Sequence, residues 1–317
     1  MSHSGSALRN IATGRGGLIF AFLAIFFWST VATAFKLSLG FIGFLPLVFY
    51  SALVSMLVLG GVCLMRGKFA QLNAWQSSDY LRSIGMGLLN PTLYYLILFR
   101  AYELLPAQEA QVLNFTWPIV LTLLGAAFLG QRLSLASMLA ILVSFFGVVV
   151  IATRGDVFSM QFSNDTGVAL ALASTLIWAS YWLVNQTERR DPLLRLFVNF
   201  VAGVGWMAML MTLTGQWQLP GLEAIAGAVY IGLFEMSLAF FCWFQALRLS
   251  ANVSLLNNMI FLTPFGSLLV IYLVLKEPVY SSTLIGLLLI ITSIVLQKLV
   301  TKKYIADRMR RAGENRH

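Results

Sequence analysis

The sequence predicts an all-α integral membrane protein with ten transmembrane helices, arranged as two inverted five-helix repeats with both termini in the cytoplasm. Three observations lead to this prediction: an apolar composition, a series of long apolar segments and a similarity between the two halves. Of the 317 residues, 59% are hydrophobic and only 10% are charged, whereas soluble domains carry roughly 25% charged residues. Because so few charges cannot cover a soluble chain of this apolar content, lipid must cover much of the surface.

Ten apolar segments of about 20 residues follow one another, and each is long enough to cross a hydrocarbon core of about 30 Å. Strands of membrane barrels alternate apolar and polar residues over about 10 positions, which these segments do not. The connections are short and leave no room for a soluble domain. The predicted spans are Gly17–Leu39, Gly43–Met65, Tyr80–Arg100, Gln108–Leu129, Leu133–Ala152, Gly167–Gln186, Leu193–Leu213, Glu223–Ala246, Ala251–Leu275 and Ser281–Leu299.

The basic residues predict the orientation of these spans, since cytoplasmic loops carry an excess of lysine and arginine. With the N-terminus inside, most of the 21 basic residues are cytoplasmic. Only Arg100, Arg154 and Lys276 fall outside, and Lys36 lies within a span. Residues 1–16 and 300–317 are therefore predicted to be cytoplasmic tails. The basic C-terminal tail is expected to contact anionic lipid, and no nucleic-acid partner is expected.

The two halves, 17–152 and 167–299, resemble each other across the connecting loop 153–166. Matching residues recur at a nearly constant offset; the pairs are Gly17/Gly167, Trp28/Trp178, Ala101/Ala246 and Pro118/Pro264. Because each half holds an odd number of helices, the second half must enter the membrane upside down. Inverted repeats of this kind are a common plan of secondary transporters that work by alternating access.

These features resemble the drug/metabolite transporter (DMT) superfamily of the EamA type, over Gly17 to Leu299. The segments AYELLPA at 101–107 and GQRL at 130–133 carry the resemblance. Within it, NPTLYY at 90–95 and NFTWP at 114–118 are similar to the YddG-type aromatic amino-acid exporters. The resemblance implies a multi-pass protein of a bacterial inner membrane that exports amino acids. One departure is Gln131, where many relatives carry glutamate; the second half keeps Glu277.

Polar and helix-breaking residues inside spans mark the candidate site, because they are expensive in lipid. A flat aromatic ring suits an aromatic side chain, or an ammonium group through cation–π attraction. Helix packing is the alternative role for each ring. The candidate substrate-binding residues are Asn90, Tyr94, Tyr95, Gln111, Asn114, Phe115, Trp117, Trp178 and Trp182. The candidate hinges are Pro91, Pro118 and Pro264.

Charged and amide side chains inside spans provide further candidates. Glu235 is the one acidic residue near the middle of a span, close to the position opposite Asn90 by the repeat offset. It is a candidate for proton coupling or for binding an amine, and a structural hydrogen bond is the alternative. Lys36 is expected to reach the membrane interface or, alternatively, a substrate carboxylate. Asn257 and Asn258 are expected to hydrogen-bond between helices.

Other classes of protein are disfavoured by what the sequence contains. The histidines, His3 and His317, lie at the two ends of the chain, and Cys63 and Cys242 lie in apolar runs. We therefore expect no enzyme, no metal site and no cofactor. A monomer that binds a small molecule within the bilayer is the expected working unit. Aromatic or bulky neutral amino acids are the leading substrates, and drugs or quaternary amines are the alternative. A passive channel and a membrane-embedded enzyme are the alternatives of other classes.

Overall fold

The structure is a computed structural model that describes residues 3–129, 135–158, 162–186, 188–250, 256 and 259–314. These residues form helices and connecting turns, and there is no strand among them. The all-helical class predicted from the composition is confirmed. Gln131, Asn257 and Asn258 lie outside the described residues.

The helices of the first half are separated by short turns and by one break. The α-helices are α1 His3–Ser38, α2 Phe44–Met65, α3 Ser77–Gly87, α4 Tyr94–Leu104, α5 Ala107–Asn114, α6 Trp117–Leu129 and α7 Leu135–Ala152. A 3₁₀ turn, Lys68–Ala74, lies between α2 and α3. A π-helical turn, Leu88–Leu93, joins α3 to α4 and so divides the third predicted span.

The second half follows a similar order. Its α-helices are α8 Asp165–Gln186, α9 Pro192–Thr214, α10 Leu222–Tyr230, α11 Ala239–Leu249, α12 Thr263–Val270 and α13 Ser281–Glu314. A π-helical turn, Ile231–Leu238, joins α10 to α11, at the place where Leu88–Leu93 stands in the first half. A 3₁₀ turn, Ile260–Leu262, precedes α12, and a second π-helical turn, Ile271–Leu275, follows it.

Six described stretches are long and apolar enough to cross a membrane, by length and composition. They are Gly16–Ser38, Phe44–Met65, Ala107–Phe128, Asp165–Asn185, Pro192–Thr214 and Leu222–Leu249. Shorter apolar helices cover Met138–Ala152, Ile260–Leu275 and Ser281–Leu296. The third predicted span is in neither set, and its helix is divided into α3 and α4 by the turn that contains Asn90 and Pro91.

Two helix ends differ from the predicted spans. α1 begins at His3 rather than at Gly17, and α13 continues past Leu299 to Glu314. The spans were delimited by apolar side chains, whereas a helix is held by backbone hydrogen bonds and can continue through polar residues. Helical structure therefore extends into both predicted tails.

The π-helical turns Leu88–Leu93 and Ile231–Leu238 are closed by the same hydrogen-bond pattern. Asn90 has non-helical backbone angles (φ −144°, ψ 119°), and Pro91 after it has no backbone N–H to donate. The Thr92 hydroxyl donates to the Gly87 carbonyl five residues earlier, at 2.9 Å. In the second half the Ser237 hydroxyl donates to the Gly232 carbonyl, also five residues earlier, at 2.7 Å. Each break thus leaves a carbonyl that a neighbouring hydroxyl satisfies.

The packing of one half is repeated by the other. α1 packs against α11 and α12, and α8 packs against α4 and α6 in the same way. α2 packs against α9, and α7 packs against α13. Gly17 and Gly167, a matched pair of the repeat, occupy corresponding places. Gly17 lies against Ala246 and Ser250 at the end of α11, and Gly167 lies against Leu104 and Leu105 at the end of α4. Each half therefore contributes equivalent helices to the junction between them.

The contact between α9 and the first π-helical turn depends on a glycine. A Cβ atom at Gly203 would lie 2.6 Å from Cδ and Cγ of Pro91. Overpacking of this kind costs about 1–3 kcal/mol, so we expect Gly203→Ala to lower the melting temperature in detergent. At Gly205 on the same helix, a Cβ atom would have no neighbour within 4 Å, and Gly205→Ala is the matched control. Equal melting temperatures for the two variants would contradict this packing.

Candidate functional site

A group of aromatic rings joins α4 to α8 at the junction of the two halves. We call Tyr94, Tyr95, Trp178, Tyr181 and Trp182 the aromatic cluster. The Tyr94 ring stacks on Trp178 with centroids 4.5 Å apart, and Trp178 stacks on Tyr181 at 5.7 Å. Trp178 and Trp182, four residues apart on α8, meet edge to face at 5.9 Å. The rings therefore pack on one another both face to face and edge to face.

Trp117 extends the cluster onto α6. Its ring lies nearly parallel to that of Trp182, with centroids 6.5 Å apart. The indole Nε1 of Trp182 is buried and has no hydrogen-bond partner among the described residues. Phe115 is not part of this group, because its ring packs instead against Phe261 at 6.0 Å.

A turn of two residues, Phe115 and Thr116, separates α5 from α6. The sequence suggested one continuous fourth span, but the helix stops at Asn114 and resumes at Trp117. Pro118 lies in the first turn of α6 and Pro264 in the first turn of α12, where a missing backbone N–H costs least. Both prolines therefore lie at the start of a helix rather than inside one.

Two predicted polar residues tie the helices around the cluster together. Asn114 accepts a hydrogen bond from the Tyr94 hydroxyl at 3.2 Å and donates its amide to Ser174 at 2.8 Å. Asn114 thus links the end of α5 to both α4 and α8. Gln111 accepts a bond from the Tyr102 hydroxyl at 2.5 Å, so its side-chain oxygen is already engaged.

Glu235 is brought to the cluster by the second broken helix. The Tyr95 hydroxyl donates to Glu235 Oε1 at 3.1 Å, so a side chain from each half takes part. Glu235 is 8% exposed, and its second oxygen has no hydrogen-bond partner among the described residues. One carboxylate oxygen is therefore held in place while the other is unengaged.

A second buried amide, which the sequence analysis does not name, belongs to α9, the helix that contacts the turn containing Asn90. Asn199 on α9 is fully buried, as is Asn90. The side-chain oxygen and nitrogen of both residues have no partner among the residues that the structure describes. The signal was present, since Asn199 is an amide inside the apolar span Leu193–Leu213, and polar residues inside spans mark functional places.

One end of the bundle, predicted to face outward, is held by polar contacts within the first half, to the connecting loop and between the halves. Lys36 donates to the carbonyls of Tyr102 and Leu105, each at 2.7 Å. It therefore caps the end of α4, so its ammonium is committed to backbone carbonyls. The carboxylate of Glu277 accepts from the backbone N–H of Ala107 at 3.1 Å. Arg154 pairs with the fully buried Glu109 at 2.8 Å.

The opposite end is held by ion pairs between the loops that precede α3 and α9. Lys68 pairs with Asp191 at 2.6 Å. Arg190 pairs with Glu188 at 2.5 Å, and its guanidinium lies 4.5 Å from the centre of the Trp75 ring. These contacts join the two halves at the end that carries most of the predicted cytoplasmic charges.

Glu188 provides a test of this ion-pair network that depends on pH. A hydrogen bond from the Arg190 side chain lowers the pKa of Glu188 to about 2. A lowered carboxyl pKa stabilises the fold above the unfolded value of about 4.3, and the stabilisation is lost as the pH falls toward the folded value. We expect Glu188→Gln to lower the melting temperature equally at about pH 6 and pH 8, and by less below about pH 4. An effect that disappears between pH 8 and pH 6 would contradict the assigned pairing.

The six long apolar helices and the shorter apolar helices beside them define a multi-pass membrane protein, and its two halves meet at the aromatic cluster. Comparison with known proteins places this chain in a family. It belongs to the EamA-like transporter family of the DMT superfamily, which matches residues 15–153 and again residues 165–297. The two matches correspond to the two halves.

Individual relatives are similar over much of the chain. The uncharacterized transporter YvbV of Bacillus subtilis is 27% identical over 220 residues, which cover 66% of this chain and 68% of the relative. The aromatic amino acid exporter YddG of Ancylobacter novellus is 26% identical over 261 residues, covering 80% of this chain and 86% of the relative. A crystal structure with 22% identity has a TM-score of 0.65 and covers 92% of this chain and 99% of its own, which shows a shared fold.

Proposed function

We propose that this protein is a secondary transporter that exports aromatic or bulky neutral amino acids by alternating access. The observation that carries the proposal is the stack of Tyr94 on Trp178, which joins the two halves at the centre of the bundle. The similarity to an aromatic amino acid exporter points in the same direction. A planar ring between helices offers a face to an aromatic side chain.

The proposed architecture has ten spans in two inverted repeats, 17–152 and 167–299, with both termini in the cytoplasm of a bacterial inner membrane. The repeated helix contacts and the two separate family matches support the duplication. The distribution of basic residues supports the orientation. Two similar units can exchange inward and outward shapes at similar energy, with the aromatic cluster between them.

The proposed transport cycle uses the broken helices as moving parts. Pro91, Pro118 and Pro264 lie where the helices break or restart, so these places can bend at small cost in hydrogen bonds. The polar contacts at each end, Lys68–Asp191 at one and Arg154–Glu109 at the other, would open in turn. Glu235 is the proposed proton-coupling group, since its one unengaged oxygen lies within the cluster.

Export of drugs or quaternary amines is the second candidate function. The unengaged oxygen of Glu235 and the ring faces of the cluster together suit a cation. A substrate panel that contains both amino acids and a quaternary amine separates this candidate from the first.

The proposal is tested in cells that express the protein and are loaded with a phenylalanine-containing dipeptide. We expect phenylalanine to appear in the medium faster than in cells with an empty vector. Cells that express Trp178→Ala at the same level are the matched control, and they should resemble the vector. Equal release from all three would contradict amino-acid export, and resistance to a quaternary amine in place of release would favour the second candidate.

A further inference from the structure

Each of the two elements that meet where α9 contacts the π-helical turn Leu88–Leu93 carries a buried amide. Asn90 belongs to the turn and Asn199 to α9, and both side chains are fully buried. None of their four side-chain polar atoms has a hydrogen-bond partner among the described residues. Buried amides in proteins are nearly always hydrogen-bonded, so an unpaired pair at one contact needs an explanation.

The backbone around these amides is packed closely, which fixes where they lie. Gly203, one turn after Asn199, lies directly against the ring of Pro91, the residue that follows Asn90. The Thr92 hydroxyl lies 3.3 Å from the Gly203 carbonyl. The Asn199 carbonyl lies against Gly87. Several contacts therefore hold the turn and α9 together. The two amide side chains still have no hydrogen-bond partner among the described residues.

The same turn leads to the aromatic cluster. It contacts α8, which carries Trp178, as well as α9. It also runs directly into Tyr94, the first residue of α4, which stacks on Trp178. The turn thus lies between α9 and the helices of the aromatic cluster, and Asn90 precedes Tyr94 by four residues, about one helical turn.

We propose that Asn90 and Asn199 form the subsite for the α-amino and α-carboxylate groups of the transported amino acid. An amide side chain offers two N–H donors and one carbonyl acceptor. Two amides can therefore donate to a carboxylate and accept from an ammonium group at the same time, without a net charge of their own. This inference rests on the proposed function and adds a rule of selectivity: the amides recognise the zwitterion, and the rings recognise the side chain.

The test compares ligands that share a ring but differ in the groups at the other end. The probes are L-phenylalanine, phenethylamine (which lacks the carboxylate) and 3-phenylpropionate (which lacks the ammonium group). Their binding is followed by tryptophan fluorescence of the purified protein in detergent. We expect the wild-type protein to prefer L-phenylalanine to both analogues by at least about tenfold, because a site built for hydrogen bonds rejects a ligand that leaves them unmade.

Asn199→Leu removes the amide while keeping the volume of the side chain nearly constant. We expect it to weaken L-phenylalanine binding by at least about tenfold and phenethylamine binding by less, because phenethylamine lacks the carboxylate to which both amides can donate, so that the preference narrows. Since no hydrogen bond to a described residue is lost, the melting temperature without ligand should not fall. Asn185→Leu is the matched control: its amide donates to the Tyr181 carbonyl, so this variant should lose stability but keep the preference.

Each outcome bears on the proposal. An Asn199→Leu protein that keeps both the affinity and the preference would overturn the subsite. A fall of several degrees in melting temperature with unchanged affinity would overturn it as well, and would assign the amides to structural water. If the wild-type protein binds none of the three probes, the proposed amino-acid function fails and the subsite fails with it.

Discussion

Trp178→Ala is expected to weaken phenylalanine binding by about 30-fold, equivalent to about 2 kcal/mol. Trp178 contacts Tyr94 by stacking at 4.5 Å and Phe240 edge to face at 6.0 Å, so it joins both halves of the bundle. Its removal takes away one of the two indole rings of the cluster. Binding to purified protein, measured by isothermal calorimetry, checks the expected loss.

Two further variants control for the size of the side chain and for general damage. Trp178→Phe keeps a flat ring and should lose only a few-fold in affinity. Trp217→Ala removes a tryptophan that is 52% exposed and packs on Phe49, far along the chain from the cluster, and it should bind as the wild type does. A folded Trp178→Ala protein with wild-type affinity would remove the aromatic cluster from the binding site.

Glu235→Gln is expected to abolish the dependence of transport on pH. The glutamine can still accept the hydrogen bond from Tyr95, now made at 3.1 Å, but it cannot take up a proton. Exchange that needs no net proton movement should continue, whereas uptake driven by a pH gradient should stop. The measurement is labelled-phenylalanine uptake into proteoliposomes with and without a gradient, at several values of pH.

The companion variant Tyr95→Phe removes the hydroxyl but keeps the ring. It should move the pH profile of uptake without removing it, because Glu235 can still bind a proton. Gradient-driven uptake that persists in Glu235→Gln would place proton coupling elsewhere. The ion pairs around Glu188 are a poor alternative, since that carboxyl stays ionised well below neutral pH.

The membrane class and the break in the third helix were predictable because overall composition determines the first and a single proline the second. Apolar composition requires lipid whatever the detailed fold, and Pro91 cannot donate a backbone hydrogen bond wherever it stands. It was harder to predict which side chains of the fourth span share a face. Gln111, Asn114 and Pro118 share a face only if the helix is continuous, and the turn at Phe115 and Thr116 changes its phase.

The contacts between the halves could not be predicted from the sequence alone. Tyr95 and Glu235 are 140 residues apart, and only the folded bundle brings them together. Gln111 was a reasonable candidate for binding, but Tyr102 engages its oxygen. The sequence shows Asn199 as an amide within an apolar span. Its proposed binding role depends on the π-helical turn that α9 contacts, which only the fold shows. Local signals thus located the candidate site, and the partners of each residue came from the fold.

The most direct test of the central proposal is countertransport of phenylalanine in proteoliposomes that contain purified protein. Vesicles are loaded with unlabelled phenylalanine, with threonine or with buffer alone, and the uptake of labelled phenylalanine is followed. A carrier with an aromatic-selective site predicts saturable uptake that internal phenylalanine accelerates most strongly. Uptake that rises linearly with concentration and ignores the internal amino acid would contradict alternating access, and the absence of any uptake by folded protein would contradict an amino-acid substrate.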